Sequence, residues 1–362
     1  MTPPRQDSTV YDVAVVGGGV LGLTITQEIL SQKPQARVVV LERDAVGSGA
    51  TRRSAGLHFP RGSSARIREM AFHSQERYAA LKAARPELPI HSLGMTVVAP
   101  ASAQERLQET YLPQARLRPV LEVAGKTALL PEGTAAWKGD GCQYADVHAL
   151  TQLLARDLRR IVELREGVEV TAVTPLTDSV ELSLGMGGTL HAGQVILAPG
   201  PWLAAPAWKD LVSPLGARVK KIVALHIEVP PTAGDQAVVF QDEDAFLLPY
   251  QERGHWLFSY TCQEWDVDPN TVAASLTHAD RDAALTVLAR YAPHLIEHCV
   301  SGRVFCDAYG PGFEPLVRPL TADGRVVFAG AGSGSGYRLA PAIAAETANL
   351  LLVPSHRKDD FS

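Results

Sequence analysis

The stretch that most narrows what this chain can fold into is YDVAVVGGGVLG, residues 11–22. An apolar run at 11–16 suits a buried parallel strand. It runs directly into Gly17-Gly18-Gly19-Val20-Leu21-Gly22, which satisfies G-x-G-x-x-G. An amphipathic stretch follows to Ser31, then a second apolar run at 37–41 that ends in Glu42. In that order each residue has a physical task. Gly17 permits the tight turn, Gly19 lets backbone approach a pyrophosphate, and Gly22 lets helix and strand pack closely. The amides around Val20 and Leu21 open a helix whose N-terminus favours negative charge. Glu42 stands where a carboxylate accepts hydrogen bonds from an adenosine ribose. Arg43 beside it belongs either to that ligand or to a solvated ion pair. The spacing predicts dinucleotide binding, and by itself leaves FAD and a nicotinamide nucleotide both open.

A chain of 362 residues exceeds what one core usually serves, so two lobes are expected. The net charge of −5 gives no electrostatic footprint for nucleic acid or an anionic membrane. The first ten residues are polar and contain proline, and no apolar run reaches spanning length. Cys142, Cys262, Cys299 and Cys306 show neither CxxC nor zinc-like spacing. A reduced, cytoplasmic protein without a metal site is the expectation.

A second glycine-rich stretch, FAGAGSGSGYRLAP at 328–341, lies near the other end. It follows a short apolar run at 326–329, and Pro341 is expected to open a helix over 342–352. Between the two loops, Asp146 is a plausible cap for a helix reaching 157. Strand-like runs follow at 162–173, 181–184 and 191–197, the last leading into APGPW. Runs at 217–229, 237–240, 245–250 and 256–260 then suggest antiparallel strands, followed by a helix over 270–291. This insertion makes no nucleotide-binding sense and reads as a substrate lobe.

Together with AVGSGATRRSAG at 45–56, these stretches make the chain resemble the D-amino-acid oxidase/sarcosine oxidase (DAO) superfamily. The resemblance implies an α/β fold: a Rossmann-type, GR2-like FAD-binding domain with an inserted antiparallel-sheet substrate domain. It assigns 1–85, 141–210 and 301–362 to the first, and 86–140 and 211–300 to the second. It implies FAD, with Ser48, Ala50, Thr51, Arg52 and Arg53 along the pyrophosphate and flavin. Val170 would pair with the adenine through its backbone, a role that a slip in register moves to Val168. Gly200 and Trp202 match the end of the family's apolar strand. Gly332, Ser333, Gly334, Ser335 and Gly336 would close over the ribityl chain, with Tyr337 next to the flavin ring. Arg338 stands where sarcosine oxidases place a carboxylate-binding lysine. Tyr250 and Tyr260 fall where relatives offer pocket aromatics. Cys306 is either a covalent attachment point for FAD or an inert core thiol. Leu257 stands near a lysine that activates oxygen in sarcosine oxidases; only Lys220 or Lys221 from a neighbouring strand would replace it.

The reaction implied is oxidation of an amine beside a carboxylate, with hydride passing to the flavin and oxygen reoxidising it to give hydrogen peroxide. A 2-hydroxy-acid oxidase is the competing reading. There His58 would serve as base, and Arg61, Arg66 and Arg68 either bind a second carboxylate or line a helix. A third is an FAD-binding subunit that needs a partner chain. The only other partner expected is a small-molecule substrate, on a monomer or homo-oligomer.

Overall fold

The computed structural model describes residues 10–272 and 275–352. The polar stretch at the start and part of the helix expected over 270–291 lie outside them. The chain divides into two compact units. Among the described residues, the first takes 10–52, 148–218 and 308–352; the second takes 53–147, 219–272 and 275–307.

The first unit is built on a sheet with the strand order Leu316–Pro319, Val326–Gly330, Thr189–Leu197, Val10–Val16, Val38–Leu41, Glu163–Arg165. The last five run parallel. Leu316–Pro319 is antiparallel, and a hairpin of Val170–Pro175 and Val180–Leu184 adds to Thr189–Leu197. Val15, Val39, Val40, Val195, Ile196 and Phe328 are fully buried, as expected where a parallel sheet is covered on both faces. Helices Val20–Gln32 and Gly336–Leu352, from opposite ends of the sequence, pack on one another. Lys33 Nζ also donates to the Leu351 carbonyl at 3.4 Å.

The second unit holds a sheet ordered Cys299–Tyr309, Arg218–Ile227, His255–Tyr260, Ala245–Tyr250, Ala237–Phe240, Ile90–Pro100, Thr134–Ala145, Leu57–His58. Its side chains alternate between two cores. Val223, Leu225, Leu247, Trp256 and Phe258 pack with Ala284, Leu288 and Tyr291 of helix His278–Tyr291. Ala224, Leu248, Tyr250 and Leu257 share the other core with Met95, Trp137 and Tyr144. Successive residues of one strand therefore serve opposite faces.

Several elements differ from the sequence expectation. Residues 53–85 belong to the second unit, because Leu57–His58 pairs with Thr134–Ala145 and helix Ala65–Ala84 follows directly. The helix expected over 270–291 begins at His278, where Thr277 and Asp280 form a reciprocal capping box. Pro341 does not open the last helix. The helix starts at Gly336, with Leu339 N donating to Ser335 O at 2.9 Å, and Pro341 is accommodated inside it.

Candidate functional site

Parallel strands aim their carboxyl ends at one edge of the first unit's sheet. Three loops leave that edge from neighbouring strands: Gly17–Gly19 after Val10–Val16, 198–202 after Thr189–Leu197, and 331–335 after Val326–Gly330. Loops at this edge of an open α/β sheet are where such folds bind ligands. Both glycine-rich stretches thus arise one strand apart, although three hundred residues separate them in sequence.

Local geometry explains the first loop. Gly17 has φ +114°, and a Cβ there would sit 2.3 Å from the Ala198 carbonyl oxygen. At Gly22 a Cβ would lie 2.0 Å from the Gly17 carbonyl oxygen, so helix and turn touch through backbone. Gly19 caps helix Val20–Gln32 without a side-chain bond, and no acid occupies the first turn. The positive helix end is left for an anion. Thr51 Oγ1 accepts from Val20 N at 3.0 Å, which leaves its own proton to donate. Glu42 accepts from Gly18 N at 2.7 Å and from Asp44 N at 2.9 Å. Burial raises its pKa, while those two amides pull it back. Each carboxylate oxygen keeps a lone pair for a ribose hydroxyl.

The wall beside this loop is pinned from several elements. Val46 N donates to Glu166 and Gln152 donates to the Val46 carbonyl, both at 2.7 Å; Ser48 N closes a turn onto Ala45. Ala50, Thr51, Arg52 and Arg53 form one helical turn in which Thr51 is buried and Arg52 exposed. Trp202 lies so close to Gly49 that a Cβ there would meet its ring at 3.0 Å, and the Arg43 guanidinium covers the ring at 4.6 Å. Gly200 takes φ +58° to make that turn. Val170 begins its strand opposite Leu184. The Val168 amide is committed to the Glu42 carbonyl at 2.9 Å, which removes its donor from any adenine contact.

At the second loop Ala331, Ser333 and Gly334 all adopt left-handed φ, at 52°, 51° and 76°. Alternating conformations of this kind form concave anion-binding backbone. The loop is held by Ser333 N donating to Ala308 O and by Gly310 N donating to Ser333 Oγ. Gly332 is bridged to Tyr309. Tyr337 is buried, its phenol raised by desolvation. Arg338 Nη2 donates to Ser335 Oγ at 2.7 Å in the first turn of the last helix. The cradle, the open helix end and Glu42 suit an elongated dinucleotide with a pyrophosphate near its centre.

The second unit separates residues that the sequence grouped. Tyr250 is buried in one core, with its hydroxyl donating to the Ala55 carbonyl at 2.7 Å. Tyr260 packs against the opposite core, on the side of helix His278–Tyr291. The two do not line one pocket. The same alternation splits Lys220 from Lys221. Lys221 is spent on Asp280 at 2.7 Å and Glu264 at 2.9 Å. Lys220 is buried over the Trp265 ring at 4.7 Å, with its pKa lowered by desolvation. His58 is fully buried in its short strand, with Tyr78 edge-on at 5.9 Å. This enclosure suits packing rather than proton transfer with a bound molecule.

Cys306 is buried, and its thiol is pushed up to about 11, chiefly by burial and then by Asp307 and Asp268. A thiol held protonated at neutral pH is a poor nucleophile. We therefore expect acid precipitation of the purified protein to leave its yellow colour in the supernatant; colour in the pellet would show a covalent link.

Arg303, on Cys299–Tyr309, donates through Nη2 to Ser54 O at 3.3 Å and to Tyr250 Oη at 3.4 Å. Its Nε is buried without a hydrogen-bond partner among the described residues. The signal for it lay only in strand pairing, since nothing in RVFCDAY marks an arginine as inward-facing.

Comparison with known proteins agrees with this architecture. The family model for FAD-dependent oxidoreductases, DAO, matches residues 12–350. The glycine oxidase of Geobacillus kaustophilus (strain HTA426) is 25% identical over 269 residues, spanning 66% of this chain and 67% of the relative. A solved glycine oxidase from Geobacillus kaustophilus superposes with a TM-score of 0.78 at 19% identity, covering 97% of this chain and 96% of that one. NikD, described as an unusual amino acid oxidase essential for nikkomycin biosynthesis, superposes with a TM-score of 0.77 at 18% identity, covering 98% and 96%. The mitochondrial L-2-hydroxyglutarate dehydrogenase of Dictyostelium discoideum shares 46% identity over 35 residues, 10% of this chain and 8% of that protein. No helix among the described residues is long and apolar enough to cross a membrane. Glycine loops meeting at one sheet edge, and a family match running almost end to end, lead to one conclusion: this chain belongs to the DAO family of FAD-dependent oxidoreductases, enzymes whose cofactor is FAD.

Proposed function

We propose that this enzyme oxidises the amine of a carboxylate-bearing substrate, an amino acid or N-alkyl amino acid, to an imine, with oxygen as the final acceptor. The observation that carries this reading is Arg303. Its guanidinium has a buried Nε with no hydrogen-bond partner among the described residues, and one arm on the Tyr250 hydroxyl. A buried N–H without an acceptor is costly, and a carboxylate answers it with a charge-assisted bond. Tyr250 fixes the guanidinium's orientation by accepting from Nη2 while donating to Ala55 O. FAD, when bound, supplies the hydride acceptor at N5. Gly17, Gly19, Val20, Leu21, Gly22, Glu42, Arg43 and the 48–53 segment would hold its adenosine and pyrophosphate. Val170 would meet the adenine, and Gly200, Trp202 and 332–337 the flavin half. A substrate bound as the neutral amine needs no strong base, in keeping with the enclosure of His58. Arg338, close to the second glycine loop, is the remaining cation proposed for the carboxylate. The glycine oxidase and NikD likenesses support an amine.

The short match to a hydroxy-acid dehydrogenase keeps one rival. Flavin bleaching under nitrogen with panels of amino acids, N-methyl amino acids and 2-hydroxy acids separates them, with ammonia, amine and peroxide measured on readmission of air. Bleaching by amino acids with release of ammonia or a lower amine is the expected outcome. Ammonia-free oxidation of hydroxy acids alone would overturn the proposal, as would failure of every amine to bleach unless a second protein is added.

A further inference from the structure

Four neighbouring strands of the second unit carry a row of polar side chains: Arg303, His226, His255 and Tyr250. His226 lies opposite Leu257, and His255 opposite Tyr250. Strand alternation places the row on the face shared with Ala224, Leu248 and Leu257. The two imidazoles stand with centroids 5.0 Å apart, tilted by 42°. Tyr250 meets His255 edge-on at 5.6 Å.

The hydrogen-bonding inventory of this row does not close. His255 Nδ1 lies 3.2 Å from the Arg253 carbonyl, which only accepts, so Nδ1 carries the proton. In the neutral ring Nε2 is then a bare lone pair. His226 Nδ1 is 3.4 Å from Ser301 Oγ. Both Nε2 atoms are buried without a hydrogen-bond partner among the described residues, and so is Arg303 Nε. A carboxylate resolves the mismatch: one oxygen accepts from Arg303 Nε, and its charge favours a proton on an imidazole Nε2.

We propose that His226 and His255 form an anion subsite with Arg303, in which binding of a carboxylate is coupled to uptake of one proton by the imidazole pair. This rests on the reading that Arg303 receives the substrate's carboxylate. Without an anion, His226 is pushed down to about 4 by burial first, then by Arg303, His255 and Arg253. His255 is lowered by burial above all; Arg253 and Arg303 add to this, while the Arg253 carbonyl and Glu228 oppose it. These charges, with the Tyr250 phenol, are the groups that face the pair. A carboxylate on Arg303 offsets the largest of the repulsive charges on His226 and the smaller of the two on His255. An imidazole whose pKa is higher in the complex than in the free protein makes affinity rise as pH falls through the complex value. The gain ends below the free value, about 4 for His226. Each coupled proton gives at most about tenfold per pH unit.

The test is calorimetric titration of the flavin-loaded protein with acetate from pH 5.5 to 8, in buffers of different ionisation enthalpy. Near one proton taken up per acetate is expected around neutrality, with Kd about three- to tenfold tighter per unit of falling pH. A His226→Gln/His255→Gln variant is expected to bind acetate with no proton uptake and a flat pH profile. If that variant does not fold, histidine-selective carbon-13 NMR of the unaltered protein replaces it, and acetate is expected to shift two imidazole Cε1 signals toward the protonated position. Acetate binding without proton uptake, uptake that persists in the double variant, or unmoved histidine signals would overturn the coupling and leave Arg303 as a carboxylate binder. No acetate binding at any pH, with Arg303→Met indistinguishable from the unaltered protein, would overturn both.

Discussion

Replacing Arg303 with methionine is expected to lower kcat/KM for a carboxylate-bearing amine about 30- to 1,000-fold, equivalent to about 2–4 kcal/mol. Methionine keeps much of the side chain's apolar length, so the variant removes charge and donors more than packing. Tyr250→Phe is the milder companion. It deletes a long, 3.4 Å acceptor for the charged Nη2 and a neutral donor to the Ala55 carbonyl at 2.7 Å, the latter worth about 1 kcal/mol. Tyr260→Phe acts as the control because Tyr260 packs against the opposite core. Steady-state kinetics of the three variants on one amine decide the matter. A Tyr260→Phe loss equal to that of Arg303→Met would show that the pocket is not where Arg303 lies.

The second large effect is on cofactor and stability together. Gly22→Ala puts a methyl group 2.0 Å from the Gly17 carbonyl oxygen and 3.4 Å from Val15 Cγ1, all fixed in backbone or buried strand. Helix Val20–Gln32 cannot retreat freely, because it also packs against Gly336–Leu352. We expect about 3 kcal/mol of destabilisation, a fall in melting temperature of about 4 °C, and protein isolated without flavin. Gly234→Ala, where an added Cβ meets nothing within 4 Å, is expected to stay within about 0.5 kcal/mol of the parent. Thermal unfolding and the ratio of flavin to protein absorbance measure both. A flavin-loaded Gly22→Ala protein of parental stability would refute the close-approach role of this glycine.

The cofactor end was legible because its physics is local. A turn in which backbone meets backbone needs glycine at fixed offsets: Gly17 and Gly22 make such close approaches, and Glu42, one strand later, accepts from Gly18 N. Cap chemistry is equally local: Thr277 and Asp280 stand three apart at the start of their helix. Pro341 misled because proline usually marks a first turn, whereas here the glycine run lets the helix begin at Gly336.

Hydrophobic period and glycine spacing act over a few residues, so the linear chain already specifies a dinucleotide fold with a sheet inserted in it. Which side chains meet was settled by folding alone. Tyr250 and Tyr260 look alike in sequence, yet the strands that carry them send them to opposite faces. Arg303, His226 and His255 are scattered over eighty residues and become one row only when four strands pair in register. Strand pairing is a long-range choice made by the burial of the whole sheet, and no short window of residues contains it.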